Sequence, residues 1–120
     1  MAFDKRQFVR VMRRMAEAVG YLELGLSEPA LRTLQAVGDA GPFEASVAML
    51  RGEAHRLARD YPAAVASLSN AAQHIAAPHN RQAWLALSWC LRQAGQMDRA
   101  IDSLGRARGA SFPTPWLPSE

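Results

Sequence analysis

The chain has 120 residues, 49% of them hydrophobic and 21% charged, with a formal net charge of +3 and one cysteine, Cys90. This length allows one domain with a modest core, and the composition is that of a globular protein rather than a solvated tail. A lone cysteine excludes an internal disulfide, and no apolar run approaches the roughly 20 residues needed to cross a bilayer.

Abundant Ala and Arg favour helix, and Val and Ile are too scattered to build strands. The first helix is predicted over residues 4–24. Its first 14 residues hold Lys5, Arg6, Arg10, Arg13 and Arg14 against Asp4, a net of +4, while the remainder carries −1. The sequence pI of 9.8 therefore belongs to this helix. Arg6, Arg10, Arg13 and Arg14 share one face, and Phe8, Val11, Met12 and Met15 line the opposite one. Such a basic amphipathic helix can lie on an acidic membrane or meet an acidic partner. The simpler expectation is that its apolar face packs on the first helical repeat while its arginines are solvated, because the segment continues without a break into that repeat. Nucleic acid is disfavoured, since no aromatics interleave with the basic side chains.

The second helix is predicted over 27–38, with Ser27 as its cap and Pro29 in its first turn, where a missing N–H is harmless. The third runs over 43–58 and the fourth over 61–74, with Pro42 and Pro62 at their starts. The fifth covers 80–94 behind an Asn80 cap, after a longer connection from Ala76 to His79. The sixth covers 97–108. The remaining segment, 111–120, holds Phe112, Pro113, Pro115, Trp116, Leu117 and Pro118, too many prolines for helix and too much apolar surface for a mere linker. Phe112 or Trp116 is expected to fold back on the sixth helix. Alternatively the segment enters a groove, its own or another copy's, as an internal ligand.

The helices repeat in pairs. Ala30, Ala64 and Ala100 each open a second helix, at spacings of 34 and 36 residues. After them recur Leu31, Leu34 and Val37; Val65, Leu68 and Ala71; Ile101, Leu104 and Ala107, one narrow apolar stripe per helix. Turns precede the anchors at Gly25–Ser27, Arg59–Tyr61 and Gly95–Met97. Repetition of a helical hairpin predicts a stacked solenoid, whose usual use is to hold another polypeptide.

Here the chain resembles the tetratricopeptide repeat family, in which a large aromatic, a Leu with a small residue, a second large residue, an Ala and a later Pro recur about every 34 positions. The third copy carries Trp84, Leu87, Ser88, Leu91, Gly95, Ala100, Leu104 and Ala107. The second has Gly52, Tyr61, Ala64, Leu68, Ala71 and Pro78. The first has Ala18, Tyr21, Gly25, Ala30, Leu34, Val37 and Pro42, with Arg14 at the aromatic position and Glu17 at the Leu position. The resemblance implies an all-α, right-handed superhelical solenoid of three antiparallel helix pairs, repeats at about 11–42, 45–78 and 81–110, forming a single domain over 1–110 ahead of the irregular Pro-rich tail.

In tetratricopeptide proteins the first helices of the repeats line a concave groove. The resemblance assigns three rows to it here: Met15, Met49 and Leu85; Val19, Glu53 and Trp89; Leu22, Arg56 and Arg92. Spacing in the fifth helix lends independent support. Residues 85, 89 and 92 occupy one face and 84, 87, 88 and 91 another, so two apolar faces exist where packing on one neighbour requires one. Trp84 reads as core and Trp89 as the groove candidate, unless the tail or a neighbouring helix covers it. A surface of Met, Leu, Val and Trp with two arginines suits an amphipathic helix or an extended apolar segment, with Arg56 or Arg92 fixing a carboxylate or carbonyl. The Lys, Asn and Arg carboxylate clamp of chaperone-tail binders is absent, because its positions hold Met15, Val19, Leu50, Gln82 and Ala86.

Catalysis finds little support. His55, His74 and His79 lack metal-ligand spacing with one another or with Cys90, and there is no Gly-rich phosphate loop and no nucleophilic triad pattern. Cys90 reads as a buried structural thiol, His55 as a packed or rim residue, and Glu53 with Arg56 as a local ion pair. The expectation is a non-enzymatic, cofactor-free adaptor, bacterial in style, for a protein or peptide partner. It is cytoplasmic by default, since the N-terminus lacks an apolar signal region. Two alternatives stand beside it: a small dedicated chaperone resembling those of type III secretion, and a self-associating structural module.

Overall fold

The structure, a computed structural model, describes residues 3–111. It contains α1 (Lys5–Glu23), α2 (Ser27–Gln35), α3 (Glu44–Leu57), α4 (Tyr61–His74), α5 (Arg81–Gln93) and α6 (Met97–Ser111), with one 3₁₀ turn (Gly41–Phe43) ahead of α3. All regular elements among the described residues are helical. Each helix packs most closely on its neighbours in sequence, and α3 also touches α1 and α5. That pattern is a solenoid of three helix pairs, with extents of 47 × 32 × 24 Å.

The helix ends follow from local chemistry. Asp4 Oδ1 accepts from the Gln7 backbone N–H at 2.9 Å and Gln7 Oε1 accepts from that of Asp4 at 2.8 Å, a reciprocal box that opens α1. Each pair then reverses through three equivalent turns. Leu26 N–H donates to the Tyr21 carbonyl (2.9 Å), Asp60 N–H to that of His55 (2.9 Å) and Gln96 N–H to that of Leu91 (2.8 Å). The residue before each donor is left-handed: Gly25 at φ 74°, Arg59 at φ 62° and Gly95 at φ 79°. This is the bonding that closes orphan carbonyls at a helix C-terminus.

The anchors Ala30, Ala64 and Ala100 are all buried, and so are the small residues Ala18, Gly52 and Ser88 on the facing first helices. Small residues at both places let paired helices approach closely. In the third pair the Ser88 hydroxyl also donates to the Ala100 carbonyl at 2.8 Å, so a polar side chain is buried with its partner in place. The core divides in two. Val11, Ala18, Leu34, Val37, Ala40 and Val47 form one cluster. A larger one gathers Leu68, Trp84, Leu87, Cys90 and Leu91 with small residues of α3 to α6.

Several expectations need correction. Leu26, not Ser27, caps α2 and makes no side-chain bond there. Its N–H already closes α1 and its carbonyl accepts from Ala30 at 3.3 Å, so one residue serves both helix ends. Helix α2 stops at Gln35 rather than 38, because Gly38 turns left-handed at φ 67°. Asn80 stands at the start of α5 in helical rather than extended backbone, so its side chain makes no capping bond. Helix α6 runs three residues beyond 108, since a glycine such as Gly109 costs only about 1 kcal/mol in a helix. The apolar face of α1 is only partly covered: Val11 is buried, whereas Phe8 and Met12 are exposed, with Phe8 meeting Phe43 edge-on at 5.6 Å. On α6 the stripe shifts by one residue, so that Ala100, Ser103 and Ala107 are buried while Ile101 and Leu104 are not. The expectations for Phe112 and Trp116 lie outside the described residues.

Candidate functional site

Two first helices, α3 and α5, frame a shallow depression of about 270 Å³ walled by Glu53, Arg56, Gln82, Leu85, Ala86 and Trp89. Four of these, Glu53, Arg56, Leu85 and Trp89, belong to the groove expected from the sequence. Gln82 and Ala86 join them because α5 presents the turn before Leu85 and Trp89 to the same side.

Trp89 is the organising residue. It is 39% exposed, yet its ring is held from two sides. The Arg56 guanidinium lies 5.6 Å from the ring centroid, and Tyr61, the first residue of α4, meets it edge-on at 5.7 Å and 65°. Arg56 also bonds Glu53 at 2.6 Å, the local pair expected from their i, i+3 spacing. The guanidinium thus spends its charge on a carboxylate and its face on an aromatic, two contacts that its planar fork makes together. Tyr61 was legible in the sequence only as a turn and repeat position. Its role at Trp89 depends on how α4 returns beside α5.

The other expected groove residues are placed elsewhere. Met49 packs against the larger core cluster and Met15 against the smaller one. Leu22 is half-buried, Val19 is exposed on α1, and Arg92 is exposed beyond the depression's walls. Trp84 is core, as expected, and the Arg106 guanidinium covers its ring at 5.2 Å.

Cys90 is fully buried beneath the site. Burial pushes its thiol up to about 11, with Arg56 acting downward and Glu53 upward, so the thiolate needed for nucleophilic attack is suppressed. Among the described residues no group of three or more His, Cys, Asp or Glu could hold a metal ion, and no helix is long and apolar enough to cross a membrane.

Residues 55–111 match the family model described as tetratricopeptide repeat, a span from the last turn of α3 through α6. The first copy lies outside that span. There Arg14 and Glu17, at the aromatic and Leu positions, form an ion pair at 3.4 Å. No curated protein and no solved structure matches the chain. Repeats of the matched family generally mediate protein–protein interaction and are typically non-enzymatic.

Proposed function

We propose that this chain, a tetratricopeptide-repeat protein over residues 55–111, is an adaptor that takes an apolar side chain of a partner segment into the depression between α3 and α5. The observation that carries this reading is the state of Trp89: partly exposed, yet clamped by Arg56 and Tyr61. A large aromatic surface whose rotamer is already held loses little conformational freedom on binding, which favours it as an anchor. Leu85 and Ala86 extend the apolar wall, and Gln82 offers an amide to a partner's backbone. Because Glu53 neutralises Arg56, the depression suits an amphipathic helix or extended apolar segment better than a strongly acidic tail. A dedicated chaperone for one such segment is a special case of the same chemistry.

Photo-cross-linking from position 85 in host lysate, against position 66 on α4, tests this. A partner captured from position 85 alone, and lost in a folded Trp89→Ala variant, supports the reading. Equal capture from both positions, or capture that survives Trp89→Ala, overturns it.

A further inference from the structure

We propose that the outer face of α1 docks this protein on an anionic lipid surface. The core side of α1 is set by Val11 and Ala18, both fully buried. At about 3.6 residues per turn, two other stripes point away from them. Phe8, Met12 and Val19 fall on one, at i, i+4 and i+11, and stand 45%, 41% and 39% exposed. Arg6, Arg10 and Arg13 fall on the other, at i, i+4 and i+7, and all three are exposed. Val9, 44% exposed, lies on the seam, three residues before Met12 and four before Arg13. Exposed apolar groups and cations thus run side by side along the most strongly amphipathic of the six helices. No wall of the depression between α3 and α5 belongs to α1, so this surface is separate from that site.

Charge complementarity selects an anionic occupant. Asp4 is committed to the Gln7 backbone and Glu17 to Arg14, while Arg6, Arg10 and Arg13 make no ion pair among the described residues. The net +4 of residues 1–14 stands against −1 for the remainder, so a negative surface attracts the molecule with α1 foremost. The apolar stripe then selects among anionic partners. Nucleic acid phosphates leave Val9 and Met12 in water, and the Phe8 ring is held edge-on by Phe43 rather than free to stack on a base. An acidic peptide engages the arginines alone, because this convex helix face has no opposing wall among the described residues to enclose a bound segment. A bilayer interface satisfies both stripes together: the apolar side chains enter below the headgroups, and the long arginine side chains reach back to the lipid phosphates.

Co-sedimentation of the full-length protein with vesicles tests this, using phosphatidylcholine alone and an equimolar mixture of phosphatidylcholine and phosphatidylserine. Binding is expected to the mixed vesicles only, and it weakens as salt rises. Arg6→Gln, Arg10→Gln and Arg13→Gln together should lower the partition constant on the order of 100-fold, at about fivefold per cation. Val9→Ser with Met12→Ser should lower it roughly tenfold. All five sites are exposed, and an unchanged circular dichroism spectrum and urea midpoint separate these losses from unfolding. Failure of the wild type to bind the mixed vesicles overturns the proposal. So does equal binding to both vesicle types, and so does a Val9, Met12 variant that binds as the wild type does, which assigns the arginines to an acidic peptide or nucleic acid.

Discussion

Gly52 on α3 faces Leu68 on α4 so closely that a Cβ built on the glycine would overlap the leucine side chain, with the Leu68 backbone nitrogen only 3.3 Å away. Gly20, within α1, has nothing within 4 Å of its Cβ position. The same substitution therefore has opposite signs at the two sites. Gly52→Ala is expected to destabilise by about 1–3 kcal/mol through overpacking, and Gly20→Ala to stabilise by about 0.5–1 kcal/mol through helix propensity. Urea unfolding of both variants checks this, and a neutral Gly52→Ala would show that α3 and α4 can move apart freely.

Ser88 holds the place of Gly52 in the third pair, and its hydroxyl is committed to the Ala100 carbonyl. Ser88→Ala keeps the size and removes the bond. The expected loss is about 1 kcal/mol, smaller than that of Gly52→Ala in the same assay.

Arg59 is the one non-glycine residue with positive φ among those described, and it stands where Gly25 and Gly95 stand in the other turns. A left-handed backbone costs a residue with a Cβ roughly 1–2 kcal/mol, partly offset in glycine by its larger unfolded entropy. Arg59→Gly should raise stability by about 0.5–1 kcal/mol, whereas a β-branched residue there should lower it. A higher denaturant midpoint for Arg59→Gly, at unchanged slope, is the expected reading.

The Cys90 thiol, raised from 9.0 to about 11 mainly by burial, makes stability depend on pH in a defined window. Below pH 9 the thiol is neutral in both the folded and unfolded states, and the contribution is fully present. As pH rises from 9 towards 11 the unfolded chain ionises first, so stability falls, by at most about 2–3 kcal/mol at 1.36 kcal/mol per pH unit. Cys90→Ala should lack this decline, so the difference between wild type and variant isolates it. Parallel pH profiles for the two proteins would mean the thiol is not desolvated.

Val47 and Ala48 are adjacent on α3 yet belong to different core clusters. The smaller cluster, which holds α1 and α2, is expected to open while the larger remains closed. Hydrogen exchange should show faster exchange of the buried amides of α1 and α2 than of those of α4 and α5. Uniform protection across all six helices would show a single cooperative unit.

Much of the architecture is legible in the sequence alone. Ala30, Ala64 and Ala100 mark the register because a small side chain is required wherever two paired helices approach, and that need recurs with the repeat. The turns at Gly25 and Gly95 are legible because left-handed backbone selects glycine. The equivalent turn at Arg59 is legible only from its place before Ala64 in the repeat, since arginine has no such preference and hydrogen bonding at the end of α3 imposes the left-handed conformation.

Tertiary structure alone decided the rest. The clamp on Trp89 joins Arg56 and Tyr61 from two other helices, and distances between residues so far apart in sequence follow from how the pairs stack rather than from any local pattern. Leu34, Leu68 and Leu104 share one repeat position, but the first two are buried and the third is exposed. A leucine's chemistry states that it gains from cover; whether a neighbouring element supplies that cover is a property of the packed chain.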